Sequence, residues 1–386
     1  STKKYEMSNI ISINQNDSID AILKPMTSNS MLYGTVGTAL TTNQLGTAPI
    51  GVKWGVRNGD SLNTISMPLG AIQPPPSQTQ MRNDTFTPEH FASSTKVSWS
   101  LQDYAIFSAL TPDDIKALGY KYPTTLGFDA NARSYSTAII EMFKQVAKTD
   151  ITRHAFWSDT AVNFATTYAT NKFAASEATT LTSLTLKDGF VKLIKAAIGT
   201  TGDAVRNYDT SGFNGNALTT AQVNTLLETV SGNAGYELYD DMINGDVSIE
   251  QKPVWLVSTS VYRAYNKFLQ TLGDSTAYYF RGYDSEGRVL DTVRALQYEG
   301  CLMINASDVF DDWNKNMTIT NNQHFAILTA RDNLRIGYNF VENTDGFRLE
   351  EGGLQSAGAV RFGMFPSMDF KIASAIQSSM SVAGFQ

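Results

Sequence analysis

The tightest constraint on what this chain can fold into is the segment Pro253-Val254-Trp255-Leu256-Val257-Ser258 and the stripe behind it. An unbroken apolar run closed by a serine reads as a buried strand that turns into a helix cap. Ser258 and Thr259 then open Val261, Tyr262, Tyr265, Phe268, Leu269 and Leu272, an apolar stripe at helical spacing that stops at Gly273. Three more apolar segments follow in order: Leu296 to Asn305, His324 to Asp332, and Val360-Arg361-Phe362-Gly363-Met364-Phe365-Pro366.

The 386 residues allow two or three domains of about 100–200 residues each. Hydrophobic residues make up 42% and aromatics 11%, enough for a substantial core and too many for a disordered protein. Only 17% are charged, against about 25% in ordinary soluble domains, so Ser, Thr and Asn supply the polar surface. Low charge density suits a subunit covered by its neighbours, because interface cores are depleted of charge. It suits a Thr/Asn-rich secreted β protein equally. The net charge of −7 offers no overall attraction to a polyanion, whereas nucleic-acid binders carry a basic patch. Cys301 is the one cysteine, which excludes an intrachain disulfide and fits folding in a reducing cytosol. No run of about 18 apolar residues occurs, and Ser1-Thr2-Lys3-Lys4 lacks the apolar core of a signal peptide. A soluble protein made in a cytoplasm, with no membrane partner, is expected.

Residues 1–49 are polar, with single apolars such as Leu32, Tyr33, Val36 and Leu40, and bury too little to fold alone. They read either as an arm lying along a neighbour or as a partly disordered tail. Ile50 to Arg57 alternates like a strand, Asn58-Gly59-Asp60 is a turn signal, and Leu62 to Leu69 reads as a returning strand. Pro74-Pro75-Pro76 forces an extended path, and Lys96 to Leu101 alternates again. Thr111-Pro112-Asp113-Asp114 is a helix start. A long helix is expected at about 129–158, with Tyr135, Ala138, Ile139, Met142, Val146 and Ala147 on one face. Two further helices are predicted. One runs from Thr185 to Ile198, with Gly199 past its end; the other opens on the capping-box spacing Thr219-Thr220-Ala221-Gln222 and stops at Gly232.

Reactive chemistry is thin. His90, His154 and His324 have no partner at metal or triad spacing, and a lone histidine is usually a surface or satisfied core residue. Cys301, inside an apolar strand, behaves as a small inert hydrophobe. Nucleotide-binding, nucleophile-elbow and zinc-protease motifs do not occur. Asp284-Ser285-Glu286-Gly287 lacks the spacing of a calcium loop, and Asp311-Asp312 beside Trp313 reads as exposed loop. Sequons at Asn16, Asn83, Asn305 and Asn316 are what chance supplies in a chain of this composition. No cofactor, metal or catalytic residue is expected.

In this order of segments the chain resembles the Hong Kong 97-type major capsid protein of tailed bacteriophages. The resemblance implies an α+β, Hong Kong 97-like capsid fold. Residues 1–49 would be the N-terminal arm, 50–100 the E loop, and 101–252 a P domain with a long spine helix at about 129–158. Residues 253–330 would form the A domain, and 331–386 would be strands returning to the P domain. It implies a non-enzymatic shell protein assembling with itself as hexamers and pentamers around double-stranded DNA, without sequence-specific binding. The shell would be built in the host bacterial cytoplasm and located in the virion. Scaffolding, portal and decoration proteins are the further partners implied. Trp54, Arg57, Phe86 and Tyr33 are the expected intersubunit contacts. Part of the family joins subunits by a lysine–asparagine crosslink, for which Lys53 or Lys96 is a conceivable donor, with no acceptor singled out. No long charged helical segment precedes the arm, so either a separate scaffolding protein exists or such a segment was removed before Ser1. A small Ser1 also suits loss of an initiator Met. An encapsulin-type nanocompartment and a secreted β-rich adhesin or carbohydrate-binding protein are the alternative readings.

Overall fold

The computed structural model describes residues 33–35, 50–66, 93–110, 149–162, 182–213, 217–243, 252–271, 296–307, 309–310, 324–339, 347–351, 360–364 and 366–385. Among these the architecture is α+β, with sheets of five, six, three and two strands.

The six-stranded sheet is built on the apolar run that dominates the sequence. Its order is β7 (Arg206–Tyr208), β16 (Met380–Ala383), β11 (Ala326–Thr329), β8 (Val254–Val257), β10 (Cys301–Asn305) and β9 (Leu296–Tyr298). β8 is central, pairing parallel with β10 and antiparallel with β11. Neither of its faces meets water, because side chains that alternate along the strand enter two different cores. Val254, Leu256, Leu302, Ile304, Ile327 and Val382 point into one cluster, with Phe156, Phe190 and Ile194. Trp255, Val257, Cys301, Met303, Ala326 and Leu328 point into the other, with Leu226, Leu227, Val261 and Tyr265.

Each face is therefore covered by helices. Helical residues 149–157 and α1 (Phe190–Ala197) contribute to the first cluster. α2 (Thr220–Gly232), α3 (Tyr236–Ile243) and α4 (Thr259–Thr271) contribute to the second. The predicted capping box closes: the Thr219 hydroxyl accepts from the Gln222 amide at 3.2 Å, and the Gln222 side chain accepts from the Thr219 amide at 2.9 Å. α1 begins five residues later than the apolar pattern suggests. Gly189, just before it, lies so close to the carbonyls of His154, Ala155 and Phe156 that an added Cβ would sit 2.8–2.9 Å from them. That contact holds the preceding residues in turns, with the Gly189 amide donating to Ser158 O at 2.7 Å. α3 has no counterpart in the sequence reading. The expected helix start at Thr111 and most of the expected long helix lie outside the described residues.

The five-stranded sheet has the order β1 (Tyr33–Thr35), β2 (Ile50–Lys53), β12 (Leu334–Tyr338), β15 (Ser367–Ile372) and β5 (Gln102–Asp103). Here the local reading needs correction. The Asn58-Gly59-Asp60 turn forms, with Gly59 at φ +89°, yet it does not pair residues 50–53 with 61–66. Ile50 and Val52, 0% and 1% exposed, instead take a place between β1 and β12, both parallel to β2. The strand after the turn, β3 (Ser61–Ser66), pairs antiparallel with β4 (Ser93–Ser98). The remaining sheet joins β13 (Phe347–Glu351), β14 (Val360–Met364) and β6 (Ile106–Leu110), all antiparallel.

Candidate functional site

The reactive side chains within the described residues are used up in packing. His154 is buried with Nδ1 2.7 Å from Asp150 O and Nε2 2.7 Å from the Ser183 hydroxyl. Burial pulls its pKa down to about 4, partly opposed by the Asp150 carbonyl. His324 Nδ1 lies 2.8 Å from the Ser260 hydroxyl, which is 3.0 Å from that of Ser258. A serine–histidine contact is the first element of an activated nucleophile. In this place it serves the start of α4: Ser258 is fully buried, accepts from the Phe325 amide at 3.2 Å, and offers its carbonyl to Tyr262 N. Cys301 is fully buried and its thiol is pushed up to about 12 by burial, so it is inert as a nucleophile. Among the described residues no group of three His, Cys, Asp or Glu is placed to hold a metal, and no helix is long and apolar enough to cross a membrane. His90, Asp284 to Gly287 and Asp311 to Trp313 lie outside the described residues.

The strongest polar constellation was not anticipated from the sequence, and it sits where the β3–β4 pair meets the five-stranded sheet. Alternation sends Met368, Phe370 and Ile372 of β15 into the main core, so Asp369 and Lys371 face the other way. On that outer face Trp99 lies flat over Gly337, where an added Cβ would come 2.7 Å from the indole ring. Trp99, Val56 and Leu62 form a small separate cluster there. Beside it Asp369 is fully buried. Its carboxylate accepts from the Ser100 amide at 2.7 Å and pairs with Lys187 at 3.1 Å and Lys371 at 3.3 Å. Lys187 also donates to Ser100 O at 2.6 Å, so one residue after β4 is gripped at both its amide and its carbonyl. Burial, reinforced by the Asp369 charge, raises the pKa of the nearby Tyr104 phenol. No local pattern could have revealed this set, because Ser100, Lys187 and Asp369 are brought together from three distant segments.

Three of the four expected intersubunit residues lie among the described residues. Trp54 is half-buried and stacks on Tyr338 of its own chain, with ring centroids 4.9 Å apart and planes at 18°. Part of its surface is therefore covered within the chain. Arg57 is exposed, its amide closing the turn onto the Asp60 carboxylate at 2.8 Å. Tyr33 is placed by the β1–β2 ladder opposite Ile50. Phe86 lies outside the described residues. Lys53, at the end of β2, is half-buried.

No family model matches the chain, and no curated protein does. Solved structures do resemble it. The satellite phage P4 procapsid including the size determination protein is matched over 95% of this chain and 99% of that one, at 9% identity and TM-score 0.49. The cyanophage A-1(L) capsid asymmetric unit is matched over 92% and 95%, at 13% identity and TM-score 0.44. An encapsulin complex from Synechococcus elongatus PCC 7942 is matched over 91% and 92%, at 10% identity and TM-score 0.35.

Proposed function

We propose that this chain is the major capsid protein of a tailed phage, with a Hong Kong 97-like fold, assembling as hexamers and pentamers into an icosahedral shell around double-stranded DNA. The observation that carries the reading is the β3–β4 pair. Its two limbs run in register from Ser61↔Ser98 to Ser66↔Ser93 and frame residues 67–92, a polar stretch containing Pro74, Pro75 and Pro76. An isolated two-stranded ribbon is marginal in water, and a long one has a physical reason to persist where a neighbouring subunit covers it. Its base is secured by the Trp99 cluster and the buried Asp369, as a lever arm anchored at one end requires. On this reading residues 50–100 act as the E loop and residues 1–49 as an arm, with Trp54, Arg57, Phe86 and Tyr33 at contacts between subunits. The role is structural, and the acidic balance of −7 suits a container that holds DNA without binding it tightly.

Electron microscopy of the expressed chain, alone and with the scaffolding protein of its source, tests the reading. Closed shells or capsomers are expected. A species of roughly 42 kDa by light scattering under every assembly condition would overturn it. Shells filled with protein cargo instead of a genome in their native context would shift the reading to an encapsulin-type nanocompartment.

A further inference from the structure

We propose that the exposed face of α3 docks on the exposed face of α4 of a second copy of this chain; the inference rests on the shell reading and adds to it a specific contact. Among its described side chains α3 buries Leu238 and Met242, one turn apart, and turns Tyr236, Glu237, Tyr239, Asp240 and Asp241 outward. That outward face carries Tyr236, which is 94% exposed, and Tyr239, which is 37% exposed, three residues apart and so side by side. Glu237, Asp240 and Asp241 complete it, and the helix contains no basic residue. The Asp241 carboxyl is raised by burial and by the charges of Asp240 and Glu237, so the cluster repels itself within the subunit.

α4 presents the complement. It buries Val261, Ala264, Tyr265 and Leu269 against the sheet and exposes Arg263 and Lys267, one turn apart, in a helix with no acidic residue. The ion pairs recorded among the described residues are Arg153–Asp150, Lys187–Asp369, Lys192–Asp159 and Lys371–Asp369, so none draws on either face. Lys252, beside the end of α3, is committed to Met242 O at 3.0 Å. Both helices contribute to the same core on one side of the six-stranded sheet. The two faces differ, so the contact is heterologous and passes from copy to copy, the kind that closes rings. Opposite charge sets the register of such a contact, and tyrosines beside arginine supply apolar area and cation–π attraction at its centre.

A charge-swap experiment decides the matter. One variant carries Glu237→Lys, Asp240→Lys and Asp241→Lys; a second carries Arg263→Glu and Lys267→Glu; a third carries all five. Every site is exposed, so each variant is expected to fold, as checked by circular dichroism. The first two are expected to lower the assembled fraction at limiting concentration by about tenfold or more, and the third to recover it. Wild-type shells with normal assembly of the first two variants overturn the contact while leaving the shell reading intact. Loss without recovery also overturns it, because it shows that α3 meets another segment of the chain or a different protein. As an independent arm, Tyr236→Cys with Lys267→Cys in one chain is treated with a bis-maleimide after assembly. A ladder of covalent oligomers is expected, with Cys301 silent, and a product that stays monomeric overturns the contact. A wild-type chain that never assembles overturns the shell reading itself, and this contact with it.

Discussion

Replacing Asp369 tests whether a buried carboxylate secures the base of the β3–β4 ribbon. The side chain is fully buried and holds two lysines and the Ser100 amide. Removing one member of a buried ion pair costs about 3–5 kcal/mol when the other charge is stranded. Lys187 and Lys371 are 19% and 20% exposed, so both ammonium groups can turn toward water and the charge penalty falls to the lower end of that range. The Ser100 amide would then lose its acceptor, worth about 1–3 kcal/mol if it stays dry. Asp369→Ala is therefore expected to cost about 4–6 kcal/mol. Asp369→Asn, which keeps an acceptor for Ser100 but no charge, is expected to cost about 3 kcal/mol. Urea titration gives the global loss. Hydrogen exchange gives its place: the Trp99 and Ser100 amides should lose protection before those of β8. A double-mutant cycle with Lys187→Ala should return a coupling of about 1–2 kcal/mol. A cost below about 1 kcal/mol for Asp369→Ala, with unchanged exchange at Ser100, would refute the anchoring argument.

Four further outcomes are expected. The His154 pKa lies below its unfolded value of about 6.5, so the unfolded chain takes up the proton first and stability falls as pH drops from about 6.5 toward 4; the limiting loss is about 3 kcal/mol, and His154→Gln should flatten that part of the urea-midpoint-versus-pH curve. Cys301 should resist a thiol reagent at neutral pH until urea unfolds the chain, and Cys301→Ser should cost about 1–2 kcal/mol through a hydroxyl buried in an apolar strand. Replacing residues 67–92 by Asn-Gly, which spares Leu62 and both paired limbs, should leave the urea midpoint of the folded subunit nearly unchanged while abolishing shells in electron micrographs; normal shells would remove the E-loop assignment. Gly337→Ala should cost about 1–3 kcal/mol and shift the Trp99 fluorescence, since its methyl group meets the indole at 2.7 Å.

Val254 to Val257 and the Thr219 capping box were legible in the sequence for the same reason: each is set by neighbours within a few residues. An apolar run must be buried wherever it lands, and a Thr with a Gln three residues on satisfies amides of its own helix end. Cys301 was also legible as a core residue, from its place inside an apolar strand, whereas the sequence leaves surface or core open for His154 and His324 and the fold decides it. What tertiary structure alone decided is which strands pair. Ile50 and Val52 read like one limb of a hairpin, yet their strand is buried between β1, a little upstream, and β12 (Leu334–Tyr338), far along the chain. The same holds for Asp369: its alternation predicts that it faces opposite to Met368 and Phe370, but not that Ser100 and Lys187 wait there. Short-range physics set which residues are apolar, capped or turned, whereas pairing and charge burial depend on contacts whose sequence separation no local pattern encodes.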